Sequence, residues 1–74
     1  MDKFEQLKVI VDYKLAQADE ELEDARKMKQ MYIGKDDKDK IIMWENIRQN
    51  RLFAWSAIND IKESIRIIDA IINK

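Results

Sequence analysis

Residues 44–72 read WENIRQNRLFAWSAINDIKESIRIIDAII. Within them Trp44, Ile47, Arg51, Ala54, Ile58, Ile61, Ile65, Ile68 and Ile72 recur at alternating steps of three and four. This is an unbroken heptad seam, the pattern that favours left-handed supercoiled packing of α-helices. A strand would need period two, and the segment is too long and too regular for one. Isoleucine is β-branched and only a moderate helix former, so packing rather than propensity must hold this helix together.

The seam is preceded by the single break in the chain. Tyr32-Ile33-Gly34-Lys35-Asp36-Asp37-Lys38-Asp39 holds the only glycine of 74 residues, and there is no proline. Gly34 suits the left-handed position that ends a helix. Asp36, Asp37 and Asp39 suit the free N–H groups that start the next one. The reading is one helix over 2–33 and a second over 37–73, each roughly 45–55 Å long. The first carries a thinner stripe: Phe4, Leu7, Val11, Leu15, Ala18, Leu22, Ala25 and Tyr32, with Met28 beside a gap at Lys29. Folding at Gly34 makes the helices antiparallel, with residues level when their numbers total about 71. Trp55 then meets Ala16 and Ala18, Ile61 meets Ile10, and Ile68 meets Phe4. Arg51 meets Asp19 and Glu20, and Arg48 meets Glu23, so these five residues are expected to form structural ion pairs.

The expected fold is therefore all-α: one helical-hairpin domain over residues 1–74. Two helices cannot cover all of its apolar surface. From Ile41 to Ile72, 18 of 32 residues are apolar. Phe53, Ile67 and Ile71 lie opposite the seam, and a helix apolar nearly all round is buried on more than one side. Self-association is expected, most simply as a dimer of hairpins forming a four-helix bundle. Ile at both core positions also permits larger assemblies. The expected oligomer interface is Phe53, Ile58, Ile61, Ile65, Ile67, Ile68, Ile71 and Ile72.

Composition removes many kinds of chemistry. There is no His and no Cys, so the commonest general base, the commonest metal ligand and any disulfide framework are absent. Ser56 and Ser64 have no His to activate them, and one glycine cannot build a phosphate-cradling loop. Neither a catalytic residue, a cofactor nor a metal is expected. Lys plus Arg is 14 and Asp plus Glu is 15, against a strongly basic nucleic-acid binder. Charged residues at Asp2, Lys3 and Glu5 occupy the place of a signal peptide's apolar core, and a cytoplasmic location is expected. No membrane association is expected, because the second helix lacks a strongly basic polar face. Twelve Ile and ten Lys against four Leu and four Arg match AT-rich coding, as in a low-GC bacterium or its phages.

Three surfaces remain as candidates. Residues 26–40 carry a local charge of +3, against −5 for residues 1–25 and +1 for residues 41–74. Met28, Met31, Tyr32, Lys38 and Trp44 gather near this basic turn. Trp and Tyr anchor interfaces and Met adapts to varied partners, so these five are the candidate partner-binding residues, or else a plug for the turn end. Glu20 and Glu23 form the third surface, inside the run 19–24. Their Glu-x-x-Glu spacing is similar to the first half of the magnesium site in helical nucleotide pyrophosphohydrolases of the MazG type. The second half, Glu-x-x-Asp, is missing, since Glu45 is followed by Arg48.

These features lead to an expected function. The chain should be a small non-enzymatic protein that binds itself and a partner protein stoichiometrically, as a regulator, inhibitor or antitoxin-like factor does. One alternative is a nucleic-acid-binding hairpin dimer whose architecture, though no motif, resembles the plasmid RNA-binding protein Rop. The other is a metal-dependent phosphohydrolase using Glu20 and Glu23.

Overall fold

A computed structural model describes residues 2–73. Helix α1 spans Lys3–Gly34 and α2 spans Lys38–Ile72, within one residue of the expected bounds. They form an antiparallel hairpin 55 Å long and 18 × 13 Å in section. Among the described residues there is no strand, and no helix is long and apolar enough to cross a membrane.

Both helices start on an aspartate. The Asp2 carboxylate accepts from the Glu5 amide at 2.7 Å, and the Asp37 carboxylate from the Lys40 amide at 3.2 Å. Each satisfies a donor that the first helical turn leaves free. Asp39, in the first turn of α2, adds favourable charge to the same helix end.

The turn departs from expectation. Gly34 is the last helical residue, and no glycine has positive φ. The left-handed position falls on Asp36, at φ 53°. The Asp36 amide donates to the Ile33 carbonyl and the Asp37 amide to the Tyr32 carbonyl, each at 3.1 Å. This paired closure places the left-handed residue two positions beyond the last helical one. Asp37 is then immediately free to cap α2. A short polar side chain tolerates the left-handed region better than most, which is why Asp36 can sit there.

The core is narrow. Val11, Ala18, Ala25 and Ile65 are the buried apolar residues among those described, and Ala25 is fully enclosed. The inward line of α1 is Phe4, Lys8, Val11, Leu15, Ala18, Leu22, Ala25, Lys29 and Tyr32, each at least partly covered. This is the expected stripe with Lys8 in place of Leu7, which is exposed, and with Lys29 filling the gap. The inward line of α2 is Ile41, Trp44, Arg48, Arg51, Trp55, Ile58 and Ile65, with Asp69 at its end.

That line corrects the expected seam. Trp44, Arg51, Ile58 and Ile65 belong to both, and Ile47 is partly covered as the seam expects, but Ala54, Ile61, Ile68 and Ile72 are exposed. Helix α2 is rotated so that Arg48, Trp55, Lys62 and Asp69 approach α1 instead. The register also moves by about three residues. Lys29 Nζ meets Glu45 Oε2 at 2.6 Å, Trp55 Nε1 donates to Asp19 Oδ1, and Lys62 Nζ meets Asp12 Oδ1 at 3.2 Å. Each of these pairs totals 74, so Trp55 lies level with Ala18 and Asp19 rather than with Ala16. The expected levels of Ile61 with Ile10 and Ile68 with Phe4 shift by the same amount.

Two substitutions test the turn. Gly34 has a negative φ and open space where a Cβ would stand, so Gly34→Ala should stabilise the hairpin by about 0.5–1 kcal/mol. Asp36→Gly should stabilise it by a similar amount by relieving the left-handed side chain. Thermal denaturation followed by circular dichroism checks both, and a destabilising Gly34→Ala would return the left-handed role to Gly34. Packing is tested at Ala25, where Leu should overfill the enclosed gap and cost about 1–3 kcal/mol. Ala16→Leu, on the exposed face, should stay within about 0.5 kcal/mol in the same measurement.

Candidate interaction surface

The rotation of α2 divides the hairpin into two unlike flanks. On one, charged side chains bridge the helices. Lys8 Nζ lies 3.4 Å from Asp69 Oδ2 and 3.1 Å from Glu5 Oε1. Lys62 reaches Asp12, as above, and these two with Lys8, Asp69, Val11, Ile65 and Arg66 line a shallow cleft of about 190 Å³. Its charges are matched within the hairpin, Arg66 being held by Glu63 at 3.0 Å.

Glu45 is the hub nearer the turn. It accepts from Arg48 at 2.7 and 3.1 Å, from Lys29 at 2.6 Å and from Gln49 at 3.0 Å. Arg48 first, then Lys29 and Gln49, hold its carboxyl well below the usual carboxylate range. Glu45 in turn raises the Arg48 guanidinium. On α1, hydrogen bonding to Glu5 first and Asp69 next raises the Lys8 ammonium, and Arg26 lowers the Glu23 carboxyl.

Of the five residues expected to pair across the helices, four find other partners and Glu20 stands exposed. Arg48 pairs with Glu45 on its own helix, and Glu23 takes both guanidinium edges of Arg26 on its own. Asp19 receives the Trp55 indole N–H. Arg51 crosses to the Glu21 carbonyl at 2.6 Å and to Asp24 Oδ2 at 3.7 Å, while its guanidinium stacks 5.9 Å from the Trp44 ring centre. The three-residue shift in register accounts for these changes. Glu20 stands exposed beside Asp19, Glu23, Asp24 and Lys27 on an open depression. Among the described residues no three acidic side chains are gathered as a metal site would require.

At the turn end, Met31 and Lys38 are exposed while Met28, Tyr32 and Trp44 are half-buried. Lys35 and Lys40 lie 5.7 and 5.9 Å from the Tyr32 ring centre, within cation–π range. The end therefore presents an aromatic ring flanked by two ammonium groups, with Met31, Ile33 and Met43 exposed nearby in the chain.

The opposite flank is apolar. Of the eight residues expected at an oligomer interface, Ile65 is buried inside the hairpin and Ile58 is half-buried. The other six stand in water: Phe53 at 73%, Ile71 at 68%, Ile72 at 65%, with Ile61, Ile67 and Ile68 about half exposed. Sequence reasoning missed what accompanies them. Ala54, Ala57 and Ser64 share the exposed side with Ile61, Ile68 and Ile71, and Leu7, Ile10 and Tyr13 are exposed on α1. The signal was a second heptad line overlapping the first, visible once Lys62 and Asp69 are granted partners on α1.

Acid should weaken the polar flank in a definite window. A carboxyl held low in the folded state contributes stability above its unfolded value, near pH 4.3, and loses it as pH falls toward the folded value. Between about pH 5 and 2 the wild-type melting temperature should therefore fall more steeply than that of Glu45→Gln. Parallel slopes would remove Glu45 from the acid transition.

Comparison with protein-family models, with curated proteins and with solved structures finds no match to this chain.

Proposed function

We propose that this chain is a small non-enzymatic interaction protein. It self-associates as a helical hairpin, most simply into a dimeric four-helix bundle, and binds a partner protein stoichiometrically through its turn end. That is the behaviour of a regulator, an inhibitor or an antitoxin-like factor.

The single observation that carries this reading is the apolar flank. Six large apolar side chains of α2 are half to three-quarters exposed on a hairpin whose own core buries only four apolar residues among those described. An exposed patch of that kind marks a surface that another surface covers. Full burial of one isoleucine contributes roughly 1.5–3 kcal/mol. Several such residues from each of two copies match the ~4–15 kcal/mol cost of association. The turn end supports the second half of the reading. Its exposed methionines and its tyrosine are side chains that adapt to and anchor a partner. Among the described residues no group of acidic side chains that could hold a metal ion favours an enzyme.

Folding and assembly should then be linked, and the melting temperature should rise with protein concentration. Sedimentation equilibrium at tens of micromolar should show an oligomer for the wild type. Ile67→Lys with Ile71→Lys should give a helical monomer, because both side chains lie outside the hairpin core. A folded wild-type monomer with a concentration-independent melting temperature would refute self-association.

A further inference from the structure

We propose that a second copy of this chain docks antiparallel along residues 54–71 of α2, about a two-fold axis that passes between Lys62 and Glu63. This rests on the self-association reading above and specifies its geometry.

On the side of α2 turned away from α1, Ala54, Ala57, Ile61, Ser64, Ile68 and Ile71 recur at steps of three and four. All six are exposed, and none is charged in a chain that is 39% charged. The stripe runs about 26 Å. At 3.6 residues per turn it sits roughly 110° around α2 from the line that faces α1. That is close to the corner of a square bundle, where one helix touches two neighbours.

The order of residue sizes selects the partner and its direction. Along the chain the stripe reads small, small, large, small, large, large. Read backwards, every small residue becomes a large one and every large one a small one. An antiparallel second copy therefore sets Ala54 against Ile71, Ala57 against Ile68 and Ile61 against Ser64, and the two-fold repeats each layer. Every layer then holds one isoleucine and one small side chain, the complementarity that close-packed cores require. A parallel copy in register would set alanine on alanine and isoleucine on isoleucine, leaving gaps in some layers and crowding others. The small residues matter here only with the isoleucines that fill them.

Helix α1 supplies a separate indication. The Lys62–Asp12 bridge marks the height of the axis on α1. Leu7, Ile10 and Tyr13, all exposed, cluster at that height. Both helices thus leave apolar side chains uncovered around one level, as an isologous contact centred there needs. The two turn ends would project from opposite poles of the dimer, roughly 75 Å apart along the bundle.

The absence of cysteine makes the test direct. Ala57→Cys and Ile68→Cys chains are prepared separately, checked for helicity, mixed at equal concentration and oxidised in a glutathione buffer. In the proposed register residue 57 lies level with residue 68 of the other copy, within disulfide reach. Two residues 57, or two residues 68, lie about 16 Å apart along the axis, beyond it. The expected result is a mixed disulfide several-fold in excess of either homodimer. Excess Ala57→Cys homodimer would mean parallel docking and overturn the geometry. Sedimentation equilibrium of the wild type separates the remaining failures. A dimer that yields no mixed disulfide overturns the α2 register alone, whereas a monomer overturns self-association as well. Should either variant lose helicity, Ala54→Cys with Ile71→Cys tests the same register.

Discussion

The ladder of polar contacts between the helices fixes how α2 is turned about its own axis. Lys8 with Asp69, Lys62 with Asp12, Trp55 with Asp19, and Lys29 with Glu45 follow one flank from the open end toward the turn. Each contact is partly exposed, and such pairs contribute only about 0–1 kcal/mol apiece. Their importance is directional. Helix α2 carries two overlapping heptad lines that share Trp44, Arg51, Ile58 and Ile65. Facing either line toward α1 would bury those four residues. Facing the line with Trp55, Lys62 and Asp69 inward gives each of these three a partner on α1, and it leaves Ile61, Ile68 and Ile72 outward.

The unequal flanks follow from that turn. One side of the hairpin is a closed set of hydrogen bonds and ion pairs. The other presents Phe53, Ile61, Ile68, Ile71 and Ile72 to solvent. A hairpin that wanted only to be a monomer would do better with the isoleucines inside, where each would add burial energy. The chain instead places polar residues at its own helix–helix contact and leaves Ile61, Ile68, Ile71 and Ile72 exposed on the other flank. The proposed self-association would draw on that division, with assembly adding to the stability of the hairpin.

The small residues fit the same division. Ala18 and Ala25 are buried inside the hairpin, where small side chains let the helices approach closely, Ala18 lying beside the Trp55–Asp19 contact. In the proposed dimer Ala54, Ala57 and Ser64 would do the corresponding work on the outer stripe, leaving room for the isoleucines of the second copy.

Much of the architecture is legible in the residues alone. The three–four spacing of apolar positions makes two helices unavoidable, the cluster from Gly34 to Asp39 makes one turn unavoidable, and their lengths leave only a hairpin. These are local properties, set by periodicity and capping. Which residue bends left was not legible, because Gly34 and Asp36 both suit the position and the closing hydrogen bonds choose between them. Nor was the inward face of α2. Ile61 and Ile68 look like better core residues than Lys62 and Asp69 until Asp12 and Lys8 are seen across the gap. Heptad spacing names candidate faces of a helix, but the choice between two overlapping faces depends on the neighbour's side chains. That choice belongs to the tertiary structure, since a charge one position from an isoleucine lies only about 100° away around the helix.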